Sequence, residues 1–390
     1  CDVPVLRFPE FSGEWETVKI GTITTKVGSG VTPRGGETVY HSQGHPFVRS
    51  QNVGWGRLLL NDIAYIDEET HKKQLNTALE LNDILLNITG ASIGRCAVVN
   101  KMIVNGNVNQ HVCIIRSNGA VDPKFLCNYL LSNYGQKQID SFQAGGNRQG
   151  LNFEQIKSIR ISIPTLDEQK YIAKLLCAIN QRIETQNKII KDWKKLKSAI
   201  VEELYSATKG ETYSFRQLLE VVNEKNRKLE YTNVLSASQE LGMIKRSDIN
   251  IDIKFEQDSI CGYKIVRNGD YVVHLRSFQG GFAFSDKTGI CSPAYTILRP
   301  NDLVVYGYLS HFFTSRLFIK SLKLVTYGIR DGRSINVDEW LNMTVILPTI
   351  QEQLHIIEII NSISSKLYNE TRIYDSLLRQ KSYLLKAMFI

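Results

Sequence analysis

The chain has 390 residues, enough for about two or three domains, and a net charge of +8. Its 43% hydrophobic and 22% charged residues exclude a disordered or fibrous protein, and no apolar run approaches the roughly 20 residues that span a bilayer. Seven scattered cysteines without a CxxC argue against a disulfide framework and for reduced thiols in a cytoplasm, while the positive balance leaves room for a polyanionic partner, nucleic acid first.

In chain order, the opening "CDVPVLRFPEFSGEW" (1–15) has no charged-then-apolar signal pattern and no initiating Met, so a few preceding residues are expected. Short β-like runs follow, such as "ILLNI" (84–88) and "HVCIIR" (111–116), separated by Gly, Asn and Asp turns. The spacing predicts a short helix over 124–139. A Gly/Arg loop, "QAGGNRQG" (143–150), then leads into the strand "IRISIP" (159–164), which its proline ends. Thr165 offers a helix cap, with Asp167 and Glu168 in the first turn.

A long helix is expected next. Its 4,3 seam runs Ile172, Leu176, Ile179, Ile183, Gln186, Ile190, Trp193, Lys197, Ile200, Leu204. A periodic seam of that length points to a coiled coil about 58 Å long at ~1.5 Å per residue. The polar linker "SATKGETYS" (206–214) turns the chain into a second globular part.

That part repeats the first at an offset near 184 residues. "VILPTIQEQLHIIEII" (345–360) matches "ISIPTLDEQKYIAKLL" (161–176), and "INVDEWLNMTVILP" (335–348) matches "LNFEQIKSIRISIP" (151–164). "RNGDYVVHLRSFQGGFAFSD" (267–286) and "PAYTILRP" (293–300) lie over earlier strand runs, and a short helix is expected over 306–322. A second seam runs Ile356, Ile360, Ile363, Leu367, Glu370, Tyr374, Leu377, Lys381, Leu384, Met388. Its two polar positions, Glu370 and Lys381, match Gln186 and Lys197. A duplicated domain-plus-helix folds naturally with pseudo-twofold symmetry, its helices antiparallel. Polar seam residues are costly unless they meet, so the expected register sets Lys197 opposite Glu370 and Gln186 opposite Lys381.

The fold class is therefore α+β: two mixed domains separated by two long helices in an antiparallel coiled coil. Expected boundaries are a first globular domain over 1–150, junction and helix over 151–207, a second globular domain over 208–334, and junction and helix over 335–390.

Chemistry is sparse. There is no phosphate loop, dinucleotide fingerprint, HExxH, zinc spacing or GxSxG elbow, and no Asn-Pro-Pro-aromatic run. "IDIK" (251–254) only superficially suggests a nuclease and reads as a strand of mixed polarity; His111 reads as structural. The loops instead hold residues suited to base edges: Arg for guanine, Asn and Gln for adenine, with glycines that let phosphates approach. The candidates are Thr89, Ser92, Arg95, Asn107, Asn109, Gln110, Asn147, Arg148 and Gln149 in the first copy, and Arg276, Ser277, Gln279, Arg330 and Arg333 in the second.

The duplicated Pro-x-x-x-Glu-Gln junctions, the entry "FPEFSGEWETVKIGTI" (8–23) and "NDILLNITGASIGRCAVV" (82–99) resemble the specificity subunits of Type I restriction–modification systems. The second copy's "LRSFQGGFAFSD" (275–286) keeps the Gly pair but lacks Thr-Gly. The resemblance implies two target-recognition domains that each read half of a split double-stranded DNA target. It also implies a cytoplasmic, non-catalytic chain with no cofactor of its own. Two modification subunits would bring S-adenosylmethionine, and two restriction subunits ATP and Mg. A stand-alone nuclease or methyltransferase, and a protein-only scaffold, are the rival readings.

Overall fold

The computed structural model describes residues 3–143, 150–238, 241–248, 257–274, 281–327 and 334–390. The chain divides into two units, Cys1–Lys188 with Arg372–Ile390, and Ile189–Thr371.

In the first unit an antiparallel sheet runs in the order Thr24–Ser29, Val112–Ser117, Ile84–Asn87, Cys96–Val98. Alternation along its strands feeds two cores. Ile84, Leu86, Cys96, Cys113 and Ile115 face the helices, whereas Leu85, Ala97, Val112 and Ile114 face a separate apolar cluster. That is why Ile84–Asn87 is buried at every position and reads as a continuous apolar run. A second sheet, Ala64–Ile66, His45–Val48 and Asn107–Val108, completes the unit.

The second unit repeats the sheet strand for strand: Leu219–Val222, Thr296–Pro300, Tyr271–Val273, Phe282–Phe284. The same alternation sends Tyr271, Val273, Phe282 and Leu298 to the helical core and Val272, Ala283 and Ile297 to the other face. A buried carboxylate ties this sheet together in both units. Arg116 donates to Asp83 through Nε at 2.7 Å and Nη2 at 2.8 Å, and Arg299 donates to Asp270 through the same two nitrogens at 2.9 Å each.

The junctions also match. Glu16–Lys19 pairs with Arg160–Ile163, and Glu211–Ser214 pairs with Thr344–Leu347. The residues expected as junction therefore belong to the globular cores, and the polar linker supplies an edge strand. After each proline a buried glutamine clamps three segments. Gln169 accepts from Asp122 N at 2.8 Å and donates to Pro164 O at 2.9 Å; Gln353 accepts from Val305 N at 2.9 Å and donates to Pro348 O at 3.0 Å and Leu303 O at 2.9 Å. The neighbouring glutamates diverge. Buried Glu168 takes a bidentate pair from Arg7 at 2.8 and 2.7 Å, whereas exposed Glu352 closes a capping box with Thr349.

Each expected short helix is broken by a buried serine. Pro123–Leu131 and Asn133–Ser141 meet at Ser132, and Tyr308–Phe312 is followed by Arg316–Ser321 after Ser315. Both serines are extended and cap the following helix, Ser132 at Gly135 N and Ser315 at Phe318 N, which interrupts the helical ladder.

The long helices are Leu166–Ser206 and Ile350–Ala387. Every seam residue named above is buried or half-buried. In the first unit Ile172, Leu176, Ile179 and Ile183 share a core with Leu377, Leu384 and Met388; in the second, Val201 and Tyr205 share one with Ile356 and Ile360. In each unit early turns of one helix meet late turns of the other, which is an antiparallel pairing.

The register differs from the expected one. Glu370 is buried, and Lys366 on the previous turn of its own helix pairs with it at 2.6 Å. Lys197 has no carboxylate within ion-pair distance among the described residues, and burial alone lowers its ammonium pKa. Leu204 shares a cavity wall with Glu352 and Ile356, where the expected register sets it opposite Ile363. Lys381 Nζ and Asn180 Nδ2 both lie beside Gly56. The correction has a physical cause. The globular cores fix the slide, as where Tyr205 Oη donates to Tyr308 O at 2.6 Å.

Replacing Gln353 by Leu should orphan a buried N–H and two carbonyls and lower unfolding free energy by about 1–3 kcal/mol. Glu352→Ala, at an exposed cap, should cost no more than about 1 kcal/mol in the same urea titration. Equal losses would show that the glutamine is not the clamp.

Candidate nucleic-acid interface

Three strands of the first sheet reach one edge together, since Ser29 pairs with Cys113 and Asn87 with Val112. Beyond that edge lie Gly30–Thr32, Ile88–Arg95 and Asn109–His111. Two glycines make the crowding possible. A Cβ on Gly30 would lie 1.8 Å from Val108 O, and Gly94 has φ +83 with Gln136 Oε1 2.5 Å from its would-be Cβ. A bridge between Thr89 and Gly150 brings in the end of the Gly/Arg loop.

A hydrogen-bonded chain crosses these loops. Gln110 Oε1 accepts from Thr32 N at 3.0 Å and from the Thr32 hydroxyl. Its amide nitrogen faces His111 Nε2 at 3.3 Å, and His111 Nδ1 lies 2.7 Å from Thr89 Oγ1. The order fixes the proton inventory. With Oε1 accepting, the Gln110 amide donates to Nε2, so Nδ1–H donates to Thr89. The Thr89 hydroxyl and the second Gln110 N–H are then left to donate outward. Gln110 is exposed and Thr89 half-buried. Asn109 Oδ1 accepts from His111 N at 3.1 Å; at 7% exposure it positions the histidine from below.

The remaining expected residues separate clearly. Ser92 Oγ donates to Thr89 O at 3.4 Å, bracing the turn. Half-buried Arg95 makes no side-chain hydrogen bond or ion pair among the described residues. Asn107 is not part of the surface, which corrects its place among the candidates. Parallel pairing with Phe47 turns it inward, where His71 Nδ1 meets its Oδ1 at 2.7 Å and it donates to Gln74 O at 2.9 Å. Asn147, Arg148, Gln149, Arg276, Ser277, Gln279, Arg330 and Arg333 lie outside the described residues, as does "IDIK" (251–254).

The second unit presents the same edge with different chemistry. His274 stands where Asn87 stands in the first copy, its N–H donating to Gly281 O at 2.7 Å. Its Nε2 is buried without a hydrogen-bond partner among the described residues, burial lowers its pKa, and the Tyr295 ring lies 6.2 Å away. Sequence reasoning missed Thr32, His274 and Tyr295, and read His111 as structural. Only "NQH" directly before an apolar strand carried a usable signal; Thr32 is brought in solely by strand pairing.

Residues 12–192 match the family model described as "Type I restriction modification DNA specificity domain". The putative MjaX specificity subunit of Methanocaldococcus jannaschii is 25% identical over 216 residues, covering 53% of this chain and 49% of the relative. The Escherichia coli EcoKI specificity subunit is 19% identical over 391 residues, covering 88% of this chain and 80% of that one. The chain spans about half the length of the M. jannaschii relatives it matches. Among solved structures, the type I S subunit from M. genitalium matches with a TM-score of 0.59 at 13% identity, covering 100% of this chain and 99% of that one. At that identity the likeness speaks for the fold.

Asn107→Ala should lower stability by about 1–3 kcal/mol, because it strips partners from a buried imidazole and a carbonyl. Gln110→Ala, at the exposed edge, should stay within about 0.5 kcal/mol of the parent. Urea unfolding of the full chain reads both; the reverse order would mean that the two residues have been assigned to the wrong sides of the sheet.

Proposed function

We propose that the chain is a specificity subunit of a Type I restriction–modification system and that each unit reads one half of a split double-stranded DNA target. The observation that carries this reading is a repeated frame under unrepeated loops. Both units share the sheet, the Asp–Arg pair, the glutamine clamp and the serine break. At the common sheet edge one presents Thr32, Gln110, His111 and Thr89, and the other His274 and Tyr295. A fixed mount with exchangeable polar tips suits two readers of different sequences.

In this reading the chain is cytoplasmic and performs no chemistry. Two modification subunits bind to it and methylate adenine with S-adenosylmethionine, and two restriction subunits with ATP and Mg join to cut unmodified DNA. Among the described residues no group of three or more His, Cys, Asp or Glu could hold a metal ion, and no helix is long and apolar enough to cross a membrane.

Exchanging residues 13–150 for those of another family member, co-expressed with the modification subunit, should change one half of the methylated target and leave the other unchanged. Mapping methylated adenines across a genome reads the result, and a change in both halves would reject two independent readers. Within the first half, Gln110→Ala should cost about 1–3 kcal/mol of DNA affinity and relax one base position. Uniform weakening across all sequences, with a shallower salt dependence, would assign Gln110 to phosphate instead.

A further inference from the structure

The second unit holds an open cavity of about 580 Å³ between the first long helix, the helix Tyr308–Phe312 and the strand Phe282–Phe284. Its charged lining comes from three elements: Lys194, Lys197 and Glu202 from the long helix, Asp286 after the strand, and His311 from the short helix. The two carboxylates are already engaged. Glu202 accepts from the backbone of Arg316 and, at 3.2 Å, from Leu317 N, which caps the next helix. Asp286 pairs with Lys287 at 3.3 Å. The hydroxyls of Ser310 and Thr314 donate to Gly307 O at 2.6 Å and His311 O at 2.9 Å, so they offer no hydrogen to the cavity.

What remains is cationic. Neither lysine has a carboxylate within ion-pair distance among the described residues, and Lys197 is half-buried. Burial first, then Lys197, hold the His311 imidazole down to about 4. The repeat supplies an internal comparison. Lys381, at the matching seam position, is also desolvated, but Glu184 is among the charges that act on it. Lys197 lacks that compensation, and an uncompensated half-buried ammonium is costly unless something anionic enters. Phe284, Leu241 and Leu367 supply apolar wall, with Ser198 and Ser315 also in the lining.

We propose that this cavity binds a small organic oxyanion, a phosphate or carboxylate on a compact apolar body, with Lys197 as its principal counter-charge and Lys194 at the rim. The anionic group faces the two ammoniums and His311, while the body lies against Phe284 and Leu241. Occupation restores the missing negative charge and favours the imidazolium, so affinity rises as pH falls from neutrality. The site is independent of the DNA-reading edge and does not rest on it.

The test uses the full chain, labelled at its histidine rings, with phenyl phosphate, inorganic phosphate and phenol as probes. Phenyl phosphate should bind saturably, shift the His311 resonance (identified with His311→Gln) and raise its pKa, and phenol should do neither. Weak saturable binding of inorganic phosphate would support the anion subsite. Lys197→Met, an apolar replacement suited to a half-buried seam position, should weaken binding about tenfold or more, the loss expected of one charge-assisted contact. Lys197→Arg should retain it, and exposed Lys191→Met should leave it unchanged. Thermal unfolding establishes that each variant is folded. The proposal is overturned if no probe saturates, if Lys197→Met binds as well as the parent, or if duplex DNA of arbitrary sequence displaces the probe, which would make these lysines backbone contacts.

Discussion

A buried primary amide, present twice, holds each unit together. Gln169 and Gln353 each stand where a strand has just ended at proline and a long helix has just begun, and each binds the loop that starts the short helices. Only an amide serves all three segments, because the site needs an acceptor for a backbone N–H and donors for carbonyls at one point. A carboxylate would lack the donors and an apolar side chain would lack both. The direction in which each long helix leaves its globular unit is therefore set by hydrogen bonds in a dry site, where unmet partners are most expensive.

The Asp83–Arg116 and Asp270–Arg299 pairs do the same for the sheets. Each carboxylate is almost fully buried and takes two parallel N–H bonds across neighbouring strands. Such a pair is costly to break and contributes orientation as much as stability. With clamp and pair fixed, the loops beyond the sheet edge can vary without disturbing the mount. The His111 chain in one unit and the half-buried His274 in the other are two outcomes of that freedom.

Much of this frame could be read from the residues. The 184-residue offset, the proline-ended strands and the heptads located the junctions and both long helices, because each is a local pattern with a local cause. Three features could not be read that way. The break at Ser132 depends on a serine whose capping role is indistinguishable from an ordinary helical position until the backbone turns extended. Asn107 shares its composition with base-reading loops, and only its pairing with Phe47 turns it inward. The helix register depended on what Lys197 and Glu370 meet, and Glu370 meets Lys366, a partner as near in sequence as in space. Matching polar positions marked equivalence in the repeat, which is a different relation from contact.

The first unit is closed by residues from far down the chain. Phe389 rests against Phe125 at 5.2 Å and Tyr129 at 5.8 Å, Leu377, Leu384 and Met388 enter the same core, and Leu6 N–H donates to Ala387 O at 2.8 Å. The second unit lies wholly within Ile189–Thr371. On the ribosome, then, the order of synthesis and the order of completion are reversed. The unit translated first must wait, with an apolar face uncovered, while the second finishes, and contacts this distant in sequence form slowly. The nascent chain passes through a stage in which one unit is native and the other is exposed to aggregation or to a chaperone, and only residues 372–390 end that exposure.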